Sequence, residues 1–561
     1  MTFEEQCSSA AANFLQTAVL VDDQAEFGMP ADMVSDPDGG AFEDPDELSA
    51  VSVTGATPAA QPIRERLDAG AITRGFAEKG LICSVLKPQS AASISMEVLR
   101  LAPKSDIIVL DWQMGSVDNG DIALGIIFKV LEMDRRAGGR LRLFAIYTGV
   151  RDLSTVSVRI ADELPSLKAS SNPFEFYNEP ATAKVVVLGK GIATDHEAGQ
   201  EERCTEEEGL ATRLITEFAK FSGGILRNAT LASMGHLRSN THRLLARLNG
   251  DLDGPVVTQF ALLNNPADAQ QYIADLILQE IEAQVPLEEI VARYAGPDSI
   301  KKRITQLFAE GGKSRIPLDA EGKTMYELPE ASALSLVDGP LETLKSHIGD
   351  FANTLGKMPK EISGQFGPDS IPQRLYGVLG DDFAEGVRKH EDFAIASAIR
   401  LTNLEAQSFR DRKLPTIRLG SIIHDADGYH ICLTPVCDSV RLPREKAQFL
   451  FGRLVEDERK FNVIVDDDGV RRRLLIDRKN VFIKTLELIP AADRTIRVER
   501  RLFDYLVPVF SPDDGKLFVR WVAEMKPMQA QRVVNSVTSN LSRIGLDEFE
   551  WLRQLGVNWT G

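Results

Sequence analysis

Asp106-Ile-Ile-Val-Leu-Asp111-Trp-Gln-Met114 is a short apolar run that delivers one carboxylate at its end. A continuous apolar run bounded by polar residues suits a strand covered on both faces. Open α/β sheets place their ligands beyond the carboxyl ends of such strands. Three other runs have the same form: Phe14-Leu-Gln-Thr-Ala-Val-Leu-Val21 ends in Asp22-Asp23, Leu141-Arg-Leu-Phe-Ala-Ile-Tyr147 ends in Thr148-Gly149, and Lys184-Val-Val-Val-Leu-Gly189 ends in Lys190. Gly80-Leu-Ile-Cys-Ser-Val-Leu86 reads as a further strand, second in chain order.

An acidic pair, a single Asp, a hydroxyl and a Lys, in that order at four strand ends, resemble the receiver domain of two-component response regulators over roughly residues 1–200. The resemblance implies a flavodoxin-like, doubly wound α/β fold with insertions, its five parallel strands in the order 2-1-3-4-5. It also implies a reaction, transfer of a phosphoryl group from a phosphohistidine to Asp111, since an aspartyl phosphate is a recognised covalent species. On the same ground Asp22, Asp23, Asp111 and the backbone carbonyl of Gln113 are the expected Mg²⁺ ligands. Mg²⁺ is a hard cation that takes oxygen donors. Lys190 is the expected partner of the phosphoryl oxygens, and Thr148 the expected hydrogen-bonding group. The implied partner is a histidine kinase or phosphotransfer protein, and the face between the fourth and fifth strands is where receivers commonly form homodimers.

Three features depart from the family pattern. The position three residues before the Lys, commonly aromatic and part of the switch, is Val187. Gly191 rather than Pro follows Lys190, and Lys184 competes for the Lys role. The separations Asp23 to Asp111 and Thr148 to Lys190 are long, which requires insertions. The segment between Phe27 and Ala60, rich in Asp, Glu, Gly, Pro and Ala, buries little apolar area and reads as a mobile acidic insertion at 27–60. A second insertion, Val150 to Ala183, enlarges the face between strands four and five. A pseudo-receiver that keeps the fold as a docking module remains the alternative.

The whole chain of 561 residues exceeds one hydrophobic core. With 82 acidic against 64 basic residues its formal charge is −18, which argues against a general nucleic-acid or anionic-membrane surface. Five scattered cysteines suggest reduced thiols and a cytoplasmic setting, and no apolar stretch or leader-like start suggests a membrane or export route. The expected domains are a receiver at 1–194, an acidic linker at 195–206, a mainly α-helical region at 207–400 and a C-terminal α+β domain at 401–561. In the helical region Thr205 and Glu208 have capping-box spacing, and a second helix starts at Pro266 behind Asn265. The last domain shows hairpins at Asp427-Gly428 and Asp468-Gly469, a small β-barrel or curled sheet, and closing helices, the final one around Phe549, Trp551 and Leu552.

Two constellations outside the receiver invite chemistry. Ala232-Ser-Met-Gly-His236 is similar to the phosphoacceptor helix of histidine kinases, but a solvent-facing His on a bundle helix is the commoner case. Cys437 with His424 or His430 as base makes a nucleophile pair, whereas His424, His430, Cys432 and Cys437 match none of the usual zinc spacings. An ordinary turn is the favoured reading there. The function expected is therefore that of a phosphoacceptor protein of a histidine-kinase phosphorelay, a response regulator or phosphate sink. No catalysis is expected beyond self-phosphorylation and aspartyl-phosphate hydrolysis. Receivers with long insertions joined to unfamiliar regions look similar to those of bacterial conflict systems, including the accessory receiver of the Detocs-type anti-phage phosphorelay. A receiver-regulated enzyme with a C-terminal catalytic domain is the competing class.

Overall fold

The computed structural model describes all residues except 28–66, 116–117, 180, 192–195, 264–265, 403–413, 478–481, 502–503, 514 and 542–561. The expected 27–60 insertion, the Asn265 cap and the final helix around Trp551 therefore lie almost wholly outside the described residues. The chain forms two compact units, Met1–Gly311 and Gly312–Gly561.

The first unit is built on strands β1 (Thr17–Val21), β4 (Ile82–Leu86), β5 (Ile107–Leu110), β6 (Arg142–Thr148) and β9 (Ala183–Lys190), with a two-residue pair β2 (Ala25–Glu26) and β3 (Leu67–Asp68) beside them. The five long strands run parallel in the order β4-β1-β5-β6-β9. This is the expected 2-1-3-4-5 sheet. Side chains alternate between its faces, so Ala18, Leu20, Ile107 and Val109 join one core while Val19, Val21, Ile108 and Leu110 join the other. Helices α3 (Ala91–Leu101), α4 (Asp121–Arg136) and α5 (Leu153–Glu163) cover the second face. The first is covered by α1 (Phe3–Phe14), α2 (Ala69–Glu78) and α6 (Glu207–Ser222). α1 starts at a complete capping box, Thr2 with Glu5.

The 150–183 segment holds α5 and then a hairpin, β7 (Leu167–Ala169) with β8 (Glu175–Asn178), which pairs antiparallel with β9 and widens the sheet. The domain boundary expected at 195–206 does not coincide with the packing. Cys204–Thr205 forms β10, parallel to the end of β9, and α6 buries Leu210, Leu214 and Phe218 completely against the sheet. α6 is thus the helix that follows the fifth parallel strand, and its docking is what makes 195–206 an internal loop. Thr205 is committed to β10, so it does not cap; Glu206 occupies the N-cap of α6 without a side-chain hydrogen bond.

A buried ion cluster fastens this arrangement. Lys184 Nζ lies 2.6 Å from Glu217 on α6 and 2.9 Å from Glu175 on β8, all but Glu175 fully enclosed. Arg213 pairs with Glu217 at 3.0 Å and Arg203 with Glu175 at 2.9 Å. Lys184 sits at the start of β9, at the opposite end from Lys190, and its partners occupy it fully.

Gly120 opens α4 at φ 94°, and a Cβ there would lie 2.3 Å from the Trp112 ring. Left-handed backbone and a filled neighbour both demand Gly. Gly120→Ala is expected to cost about 1–3 kcal/mol and to displace Trp112, the residue beside Asp111. Equilibrium urea unfolding checks this, and an unchanged midpoint would contradict the packing described.

The second unit begins with a hairpin, β11 (Ser314–Pro317) and β12 (Met325–Leu328), and short helices around Ile316, Leu344, Phe351 and Phe366. Strand β13 (Ile399–Thr402) leads into a barrel. Six antiparallel strands, β14 (Ser421–Asp425), β15 (Gly428–Cys432), β16 (Ala447–Glu456), β19 (Ile483–Leu488), β21 (Asp504–Ser511) and β22 (Gly515–Met525), close on themselves through the β21–β22 pairing. Phe449, Phe451, Tyr505, Val507 and Trp521 share its interior cluster. The hairpin of β17 (Val463–Asp467) and β18 (Val470–Leu475) turns at Asp468-Gly469, both with positive φ, as expected. The Pro527–Leu541 helix packs outside the barrel through Ala530 and Val537.

Candidate functional site

Parallel strands bring their carboxyl ends to one edge of the sheet, so residues far apart in sequence meet there. Asp22 and Asp23 follow β1, Asp111 follows β5, and Thr148 and Lys190 are the last residues of β6 and β9. One carboxylate oxygen from each of Asp22, Asp23 and Asp111 lies within 4.8 Å of the others, and no second cluster of three potential metal ligands occurs among the described residues. Asp22, Asp111, Thr148 and Lys190 are buried, while Asp23 is half-buried.

Lys190 Nζ forms an ion pair with Asp22 Oδ2 and lies 3.2 Å from Asp111 Oδ1. Backbone amides take part of the remaining acceptor capacity. Trp112 N–H donates to Asp111 Oδ1, Gln24 N–H to Asp22 Oδ1 and Gly115 N–H to Asp23 Oδ2, each at 2.8 Å. Thr148 Oγ1 accepts the Val150 N–H at 3.2 Å. Asp23 Oδ1 is buried without a partner. Gln113 follows in the turn after Asp111 with its side chain exposed.

Three carboxylates face one ammonium, and the electrostatics reflect that imbalance. Burial, reinforced by the Asp22 charge and opposed by Lys190, pushes the Asp111 carboxyl up to about 7. Burial works against the charge of Lys190, yet Asp111 and Asp22 hold its ammonium above the ordinary lysine range. An all-oxygen donor set, a net negative charge and an orphaned carboxylate oxygen suit a small divalent cation. Asp22, Asp23 and Asp111 are the residues able to hold it.

Three residues around the site escaped the sequence reading. Tyr147 turns away from Thr148 to the other face, donates its hydroxyl to the Thr205 carbonyl at 2.8 Å and lies with its ring centroid 5.9 Å from Lys190 Nζ. Its place beside Thr148 was the available signal. His196 bridges two loops of the site, with Nε2 2.8 Å from the Lys190 carbonyl and Nδ1 3.0 Å from that of Val150. A Cβ on Gly189 would strike this ring at 2.6 Å. Burial raises the carboxyl of Glu207, at the start of α6, with the Lys190 charge a smaller pull the other way.

The other sequence candidates are not gathered with this site. Val187 is fully buried in the core on the α3–α5 face. His236 is half-buried on the helix that follows α6, lining a cavity with Arg293 and Tyr294. Cys432 and His430 are enclosed on the interior side of the barrel, His424 packs on Tyr429, and Cys437 is exposed in a short turn.

Residues 14–195 match the family model for the response receiver domain. This segment is a receiver domain, a class that serves as the response-regulator part of two-component signalling. The match ends ahead of α6 and does not reach the second unit. No curated protein and no solved structure matches the chain. No helix among the described residues is long and apolar enough to cross a membrane.

Proposed function

We propose that this chain accepts a phosphoryl group on Asp111 from a phosphohistidine of a histidine kinase or phosphotransfer protein. The observation that carries the reading is the meeting of Asp22, Asp23, Asp111 and Lys190 at one sheet edge. An Asp111 carboxylate oxygen attacks phosphorus, the phosphorus–nitrogen bond breaks, and the imidazole leaves with the bonding pair. Lys190, already within reach of Asp111, moves its charge onto the phosphoryl oxygens. Thr148 Oγ1 offers a hydroxyl to the same group. Asp22, Asp23, Asp111 and the Gln113 carbonyl would hold Mg²⁺, which would supply neutralising charge for the incoming phosphoryl group.

Val187 has no ring to rotate, so the read-out falls to Tyr147. Movement of Lys190 toward a phosphoryl group changes what the Tyr147 ring faces, and Tyr147 is tied to the loop that opens α6. This makes a regulated output the first choice and a phosphate sink the second. An anti-phage setting rests on architecture alone, a receiver joined to a long unfamiliar region, and is tested by challenging cells with phage with and without the Asp111→Asn variant.

Labelling by acetyl phosphate tests the chemistry. Asp23→Asn should raise the Mg²⁺ concentration needed for half-maximal labelling by roughly tenfold or more, whereas Asp438→Asn should leave it unchanged. Labelling that persists at full rate in a chelator would overturn the assignment of Asp22, Asp23 and Asp111 as cation ligands.

A further inference from the structure

We infer that the helical hairpin following α6 is a self-association surface, on which two copies of this chain pair so that the basic helix of each lies against the acidic helix of the other. The inference does not depend on phosphorylation.

The hairpin begins with α7 (Ile225–Arg247), whose buried residues, Asn228 to Gly235, all lie in its first half. There α7 crosses α1 so closely that a Cβ on Gly235 would lie 2.2 Å from the Asn13 carbonyl oxygen. Beyond His236 the helix leaves the core. α8 (Asp253–Leu262) follows, and it buries none of its residues although its sequence, Asp-Gly-Pro-Val-Val-Thr-Gln-Phe-Ala-Leu, is mostly apolar. α9 (Pro266–Gln284) returns along the end of α7, held by an Arg247–Glu280 ion pair at 2.9 Å.

Two properties of this hairpin select a second copy as its occupant. The first is area. Leu245, Val257, Leu262, Tyr272, Ile277 and Leu278 are each between 40% and 75% exposed. Spread around the three helices they expose roughly 700 Å² in all, against the about 800 Å² that each partner contributes to a standard interface, and Leu278 shares its face of α9 with Asp275 and Glu282. Scattered single apolar residues need no explanation, but six on one projecting element do.

The second is charge. α7 carries Arg227, Arg238, Arg243 and Arg247 and no acidic residue, Arg238 being paired with Asp106 of its own chain at 3.0 Å, whereas α9 carries Asp275, Glu280 and Glu282 among its acids and no Lys or Arg. A surface of one sign would favour a partner of the other. A surface with opposite signs on two antiparallel helices complements itself under a two-fold axis, because each α7 then faces an α9. Within one hairpin the Arg247–Glu280 pair is already made, and Arg243, Asp275 and Glu282 remain at the exposed surface. The docked pair is a four-helix arrangement with an apolar centre and ionic margins.

Sedimentation equilibrium on the full chain is the test. It should give twice the 61.7 kDa of one chain at micromolar concentration, with weaker association as salt screens the margins. Val257→Asp with Leu278→Asp should weaken association at least about tenfold, and unchanged circular dichroism would show that the fold survives. Two charge variants then probe the geometry. Arg243→Glu, and Asp275→Lys with Glu282→Lys, should each dissociate alone and form a one-to-one dimer when mixed. A monomeric parent chain, a dimer indifferent to Val257→Asp with Leu278→Asp, or variants that fail to rescue each other would each overturn the proposal.

Discussion

Asp111→Asn should remove, down to background, the acid-labile label that the proposed reaction places on this chain from acetyl phosphate or a phosphohistidine donor, while leaving the domain folded. In the proposed transfer the carboxylate oxygen is the attacking atom, and an amide in its place has no comparable nucleophilicity. In the cation-free protein the same substitution should raise stability. Burial and the Asp22 charge hold the Asp111 carboxyl near 7 against the pull of Lys190, compared with 3.8 for the free side chain. A carboxyl whose folded pKa lies above its unfolded value supports the fold while protonated. That support is present below about 4 and lost as pH rises through about 7, by on the order of a few kcal/mol. Cation-free parent protein should therefore lose stability between those limits, and Asp111→Asn should not. Lost labelling together with gained stability distinguishes a missing nucleophile from a damaged fold. Equal labelling of the variant would remove Asp111 from the mechanism.

Lys184→Met should cost on the order of 3–5 kcal/mol, the range for removing one partner of a buried ion pair. Methionine keeps most of the volume but leaves Glu217, fully enclosed, with Arg213 at 3.0 Å and the more distant Arg203 at 3.9 Å. Glu175 keeps Arg203. Burial raises the Glu175 carboxyl, but the Lys184 hydrogen bond and charge outweigh it and hold the group below its ordinary 4.5. A depressed carboxyl supports the fold above that value, so the cluster fails as pH falls through and below it. The double variant Lys184→Met with Glu217→Met should recover much of the loss, because two apolar groups replace a charge left alone. Urea unfolding of the parent, both single variants and the double variant reads the coupling. Independent, additive losses would show that the cluster does not act as one unit.

The parallel sheet was legible because a strand buried on both faces leaves a continuous apolar run, and the run shows where it stops. That is why Lys190, which ends its run, could be preferred to Lys184, which begins the same one. α6 was hidden for the opposite reason. The stretch from Asp195 to Glu208 is acidic and polar, the composition of a solvated connection, yet it contains β10 and the helix start that cover the sheet. His196 disappears in the same stretch, since nothing local shows that its ring reaches the carbonyls of Lys190 and Val150. In the second unit the hairpin at Asp468-Gly469 announces itself through its turn, whereas barrel closure depends on β16 meeting β19 across that hairpin. Such long-range pairing has no local signature.

α6 also fixes where this receiver can be cut from its chain and joined to another. Leu210, Leu214 and Phe218 are worth about 1.5–3 kcal/mol each in burial, and without them the β6 and β9 residues Tyr147, Val186 and Leu188 lose cover. A gene fusion with its junction at residue 195 would carry the whole candidate site and still yield a sticky, half-roofed sheet. The transferable cassette runs past Ser222 into α7, which packs on α1, so recombination between such proteins should leave its breakpoints beyond that packing rather than in the acidic stretch that looks like a natural seam.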